Sequence, residues 1–267
     1  MTTPPIGVAT RPFRLPLRAA LAAAAEAGAE FVEIDARNEL RIADFTGTAL
    51  RQFRKVLEDL RLRVASIAFP TRRGYDDPDD LERRVMATRE AMTFAYGVGA
   101  RVVVGRPGEL AEPTTDEAAP VNATMRDALD LLAVHGEHCG ARFAIATGAS
   151  PTAQRGLLDA LPDGGVGVAL QPALLIGEGH GAEQAAAELG PDVACVYAAD
   201  AVRDSSSAGR ATEVELGRGE ADLPAVLARL EEHAYLGPII ARCGAAADPR
   251  GELANAVAYL RTLMAER

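Results

Sequence analysis

Short β-type apolar runs alternate along the chain with longer segments in which apolar residues recur every three or four positions. The pattern predicts strands over residues 6–10, 31–35, 63–69, 101–105, 142–146, 166–171, 193–197 and 238–241. A helical pattern follows each strand. The first is Ala-rich and ends at Gly28, a natural C-terminal stop. The others run over about 46–60, 78–96, 121–139, a short piece after Pro151, 182–189, 223–233 and 251–264. Alternating β and α elements imply a parallel sheet covered by helices. Eight such units in 267 residues, with no long Pro-, Gly- or Ser-rich linker, predict one domain over 1–267. The expected fold is α/β, a single (β/α)8 TIM barrel. A six- or seven-stranded open sheet is the alternative. In a barrel, function is expected at the C-terminal ends of the strands.

Composition narrows the chemistry. The chain is 48% hydrophobic, enough for a packed core. Lys+Arg 28 against Asp+Glu 38 gives a net charge of -10, which repels phosphate backbones and argues against nucleic-acid binding. Lys55 is the sole lysine and lies on the polar face of a helical pattern, so Schiff-base chemistry is excluded as an expectation. Cys139, Cys195 and Cys243 are widely spaced and read as small buried hydrophobes in a reducing compartment. No basic-then-apolar leader and no apolar stretch of membrane-spanning length is visible, so a cytoplasmic location without membrane attachment is expected. Assembly into a homo-oligomer is compatible with this composition.

Four local patterns resemble the xylose isomerase-like TIM barrels, the superfamily of sugar and sugar-phosphate isomerases and epimerases that includes endonuclease IV. They are Ala27-Gly-Ala-Glu-Phe-Val-Glu33, Tyr96-Gly-Val-Gly-Ala-Arg-Val-Val-Val104, Glu215-Leu-Gly-Arg-Gly-Glu-Ala-Asp-Leu-Pro224 and Tyr235-Leu-Gly-Pro-Ile-Ile240. They occur in the family's order and span most of the chain. The resemblance implies a divalent metal held by Glu, Asp, His and Glu on strands five to eight, with the carboxylates moving a proton beside a polarised carbonyl. At those positions this sequence reads Ala146, Gln171, Tyr197 and Ala241. Leu174 and Ala199 replace two further polar family positions. An alanine has no donor, and an amide or a phenol is a poor ligand for such a cation. Neither the family's metal nor any other cofactor is therefore expected.

Other candidate donors carry bland readings. His135 and His138 are three apart on a helix expected to lie outside the barrel, next to Glu137 and Cys139, and read as a solvated face. His180 reads as a loop residue after strand six, and His233 as a helix-end residue suited to the dipole. The Gly-Arg-Gly-Glu run at 217–220 lacks the strand-Gly-Lys-helix context of a phosphate loop.

Polar residues remain at the predicted strand ends: Glu33, Asp35, Arg106, Asp200 and Arg242, with Arg11, Arg72 and Arg73 just beyond strands one and three. Glu33, Arg106, Gln171, Tyr197 and Arg242 are the candidate ligand-binding residues. Arginines suit a carboxylate or phosphate, and equally suit surface ion pairs. Tyr197 and Gln171 are expected to face inward, either bonding a polyol or plugging the vacated cavity, with the plug the simpler of the two. Two functions follow. One is a degenerate barrel that binds a small sugar-like or anionic metabolite. The other is a sugar isomerase or epimerase whose acid/base work has moved to Glu33, Asp200 or Tyr197.

Overall fold

The computed structural model describes residues 3–113, 121–204, 211–244 and 246–266. In chain order the strands are β1 (Ile6–Ala9), β2 (Phe31–Asp35), β3 (Arg63–Ala68), β4 (Val102–Gly105), β5 (Arg142–Ile145), β6 (Val166–Leu170), β7 (Val193–Ala198), β8 (Asp200–Arg203), β9 (Ala211–Val214) and β10 (Ile239–Ala241). The helices are α1 (Leu17–Glu26), α2 (Thr48–Asp59), α3 (Leu81–Gly97), α4 (Ala123–Cys139), α5 (Pro151–Asp159), α6 (Pro172–Glu178), α7 (Ala182–Leu189), α8 (Leu223–Glu232) and α9 (Pro249–Ala265). Among the described residues no helix is long and apolar enough to cross a membrane.

β1 pairs in parallel with both β2 and β10, which closes the ring in the order β1-β10-β7-β6-β5-β4-β3-β2 and rules out the open sheet. Local chemistry sets the helix starts. Asn122, Ser150, Asp222 and Asp248 each accept a backbone N–H from the first turn of α4, α5, α8 and α9. α3 begins at Leu81, three residues later than the periodicity suggests, because Asp77 folds the preceding segment into a turn by accepting from Asp79 N.

Period-two alternation sorts the strand residues into two layers. Outward residues such as Val8, Ile34, Ile67, Val103, Phe143, Val168 and Ile239 pack in the large cluster that includes the helices. Inward ones, among them Ala9, Val104, Ala144, Ala146, Ala169, Cys195, Tyr197 and Ile240, form a separate small cluster. Most of the latter are small, so the upper barrel is not filled by its own side chains. A β-bulge tunes this lining: β2 and β3 pair Val32 with Val64 but Glu33 with Ser66, and the slip sets the serine beside the glutamate.

Two features were absent from the periodicity. α6 is a single short helix opened by Pro172, and β8 and β9 form an antiparallel hairpin that departs from the barrel after β7. The hairpin is rooted by Asp200. Its carboxylate accepts from the backbone N–H of Ala201, Gly217, Gly219 and Ala221. A Cβ on Gly219 would lie 2.2 Å from Asp200 Oδ1, so the loop needs glycine there to approach the carboxylate. The Gly-Arg-Gly-Glu run is thus the loop that wraps an aspartate of this chain. Asp200→Ala is expected to lower unfolding stability by about 3 kcal/mol in urea titration, because it strands these donors, and Asp200→Asn by less. A loss within about 0.5 kcal/mol for the alanine variant would contradict this rooting role.

Candidate functional site

The C-terminal ends of the barrel strands open into a cavity of about 910 Å³. Glu33 lies on its wall and is only 4% exposed. Its Oε2 accepts from Ser66 Oγ at 2.8 Å, on the neighbouring strand, and from Tyr197 OH at 2.5 Å, from β7 across the barrel. Oε1 accepts no hydrogen bond within the described residues. Arg242, just past β10, places its Cζ 5.5 Å from the centre of the Tyr197 ring.

Burial pushes the Glu33 carboxyl above its ordinary value, more strongly than the Tyr197 bond, the Arg242 charge and the Ser66 bond pull it down; nearby Asp35 adds to the rise. Burial, reinforced by the charge of Glu33, pushes the Tyr197 phenol well above its ordinary value. The phenol therefore stays protonated and acts as the donor. Burial likewise raises the Cys195 thiol well above its ordinary value, and Cys243 is pushed up to about 12 by burial and the charges of Glu252 and Glu213. Neither cysteine is a thiolate nucleophile at neutral pH.

The charged residues around the cavity divide sharply. The carboxylates are committed: Asp35 accepts from Arg37 N, Asn38 N and Asn38 Nδ2. Glu39 accepts from Thr10 Oγ1 and Asp35 N, and Glu213 from Gly244 N. The arginines are less committed, although Arg242 sits over the Tyr197 ring and its charge acts on Glu33. Arg11, Arg14, Arg106 and Arg242 all line the cavity and are exposed, and within the described residues none of their guanidinium groups makes a hydrogen bond or ion pair.

The expected site residues separate accordingly. Glu33, Gln171, Tyr197, Arg106 and Arg242 all line the one cavity, as do Arg11 and Asp35. Tyr197 and Gln171 face inward, but the plug expectation is corrected. Tyr197 lies against the wall on Glu33, Leu174 is 44% exposed, and the mouth stays open because Ala9, Ala146 and Ala199 leave space around them.

Ala241 requires a second correction. It is buried in the helix-facing layer, since Ile240 points into the barrel and alternation turns the next residue outward. The inward position at the end of β10 is Arg242, so the four positions equivalent by geometry are Ala146, Gln171, Tyr197 and Arg242. Asp200, a catalytic candidate from sequence, does not line the cavity and spends its carboxylate on the loop amides.

Arg72 lies off the cavity, and Arg73 pairs with Asp77 and Asp79. His180 lies in the short loop between α6 and α7, as expected, with its N–H bonded to Leu175 O. His135 sits on the outer helical layer against Thr93 and Arg89 O, and Lys55 pairs with Asp59 on α2. Among the described residues no three His, Cys, Asp or Glu side chains cluster as metal ligands would. Ser66, Arg14 and Glu39 were missed from sequence. Ser66 alone had a usable signal, a single polar residue inside an apolar strand.

The sequence model of the family described as xylose isomerase-like TIM barrel matches residues 21–263. No curated protein matches the chain. Among solved structures, a xylose isomerase domain protein from Planctomyces limnophilus shares 21% identity over 99% of this chain and 100% of that one, with a TM-score of 0.83. A xylose isomerase-like TIM barrel protein from Mycobacterium smegmatis, in complex with magnesium, shares 18% over 99% and 97%, at 0.78. A D-allulose 3-epimerase from Methylomonas sp., in complex with D-allulose, shares 17% over 98% and 98%, at 0.72. Likeness at these identities extends to the fold.

The raised Glu33 carboxyl has a pH signature. A buried acid that ionises later than its unfolded counterpart contributes stability below the unfolded value, near 4.5, and loses it as pH rises through the folded-state value. Denaturation midpoints should therefore show the wild type losing stability relative to Glu33→Gln as pH rises from below 4.5, then levelling off. A flat difference would show that the carboxyl is not perturbed.

Proposed function

The chain belongs to the xylose isomerase-like TIM barrel family, and from that premise we propose that its mouth binds a small polar metabolite, sugar-like or anionic, without the family's divalent metal. The barrel fold is that of the sugar isomerases and epimerases. One observation carries the reading: a guanidinium, Arg242, stands at the inward end of β10, where the resemblance implies a carboxylate ligand. A fixed cation there repels a second one. The remaining donors, an amide and a phenol already spent on Glu33, do not fit a hard divalent ion. Glu33, Tyr197 and Arg242 form a charge-balanced wall in place of a metal centre, and the open mouth holds the ligand. On this reading the family's metal-dependent isomerisation is lost.

A second reading keeps catalysis and moves the proton transfer to Glu33. It is favoured by the raised carboxyl of Glu33, a residue that lines the cavity and whose Oε1 accepts no hydrogen bond among the described residues. Solvent-deuterium exchange into ketoses, followed by NMR with chelator present, separates the two. The binding reading expects none, and exchange abolished by Glu33→Gln supports the second.

Calorimetric titration with Mg²⁺ and Mn²⁺ should show no stoichiometric tight binding by the wild type; such binding at the mouth would sink the metal-free reading. Combining Ala146→Glu, Gln171→Asp, Tyr197→His and Arg242→Glu should create binding. The same set with Ala241→Glu instead of Arg242→Glu should not, because residue 241 points away from the cavity.

A further inference from the structure

We propose that the ligand of this mouth carries an oxyanion, a carboxylate or a phosphate, at one end and hydroxyls at the other. Arg14 and Arg242 grip the anion, and the free Oε1 of Glu33 accepts from a hydroxyl deeper in the cavity. The inference rests on the reading that the mouth binds a small polar metabolite.

Placement supports it. β1 and β10 are neighbours in the barrel, and the segments that follow them carry Arg14 and Arg242 to one wall of the cavity. Both side chains line that cavity and are exposed. The carboxylate on this wall, Glu213, is held by Gly244 N–H rather than by either arginine. In a chain with 38 acidic residues against 28 basic ones, cavity-lining guanidiniums that make no ion pair among the described residues leave positive charge for an anion from outside, in Arg242 beyond what acts on the partly protonated Glu33. Guanidinium pairs suit carboxylate and phosphate through bidentate bonds.

Arg14 differs from Arg242 in its backbone. Its backbone is left-handed, with φ 53 and ψ 34, at the end of a short 3-10 turn over Arg11–Phe13. That conformation costs an arginine more than a glycine, as it does Arg61, Asp80, Asp222 and Ala234, which share it away from the cavity. Depth gives the ligand its polarity. Glu33 is buried, whereas the arginines are exposed at the rim, so hydroxyls enter first and the anion stays outermost.

The test is calorimetric titration of metal-free protein with D-fructose, D-fructose 6-phosphate, D-gluconate and inorganic phosphate. The expected result is that an anionic polyol binds at least about tenfold tighter than D-fructose. Which of the two anionic polyols binds identifies the oxyanion, and phosphate alone should bind more weakly than the phosphorylated sugar. Arg14→Gly and Arg242→Met should each weaken that binding about tenfold or more, while Arg126→Met on the outer face of α4 leaves it unchanged. Arg14→Gly is the sharper variant, because glycine suits the left-handed backbone and thermal stability should hold or rise while affinity falls. Equal binding of neutral and anionic sugars, or affinity indifferent to both arginine variants, overturns the inference and leaves the metal-free reading standing. Binding that appears only with Mg²⁺ or Mn²⁺ overturns the metal-free reading itself. Absence of binding by all four probes overturns both.

Discussion

A carboxylate inside a barrel is the constraint around which the upper half of this molecule is arranged. Glu33 is nearly withdrawn from water, and an isolated buried charge is among the most costly things a fold can contain. It is retained because three groups from three different strands or strand ends converge on it. Ser66 is brought alongside by the β2–β3 bulge, Tyr197 reaches across from β7, and Arg242 adds positive charge from past β10. Removing any one leaves the others less satisfied, so the four residues behave as a unit.

The rest of the mouth follows from that unit. Tyr197 can reach Glu33 because Ala9 keeps the intervening wall low, and the other small inward residues leave a cavity beside the ring. The hairpin β8–β9 adds Ala201, Ala211 and Glu213 to the cavity lining, and Asp200 ties it to the loop over 217–221 by satisfying four backbone donors at once. Carboxylates therefore do structural work in this molecule: Asp200 roots a loop, Asp35 caps its own turn, and Glu39 is tied to Thr10. Arginines are the groups left facing the cavity.

Much of this was legible in the sequence, and the failures have identifiable causes. The eight barrel strands appear where short apolar runs predict them, because a strand buried on both faces must be apolar throughout. Gln171 and Tyr197 were expected to face inward because family-like motifs set them at ligand positions, and Glu33 was singled out as a pocket residue by its motif. The motif on β10, matched one residue out of register, selected Ala241 in place of Arg242. In a strand of three residues nothing local distinguishes the two. α6 and the β8–β9 hairpin escaped because both are short and hold their shape by packing against each other rather than by periodicity of their own. Asp200 looked catalytic because it followed a strand end, and only the folded path of residues 217–221 shows what it binds.

By itself the sequence determined the closed α/β architecture, the scarcity of carboxylates at the implied ligand positions and the presence of a single lysine. These rest on residue identity and on period, which are local and survive without coordinates. Tertiary structure decided which charges meet: that Tyr197 turns to Glu33 instead of filling the mouth, that Arg242 faces inward, and that the cavity-lining arginines make no ion pair among the described residues. Those outcomes depend on distances between residues as many as 164 apart in the chain, and electrostatic energy is set by such distances and by burial rather than by order along the backbone.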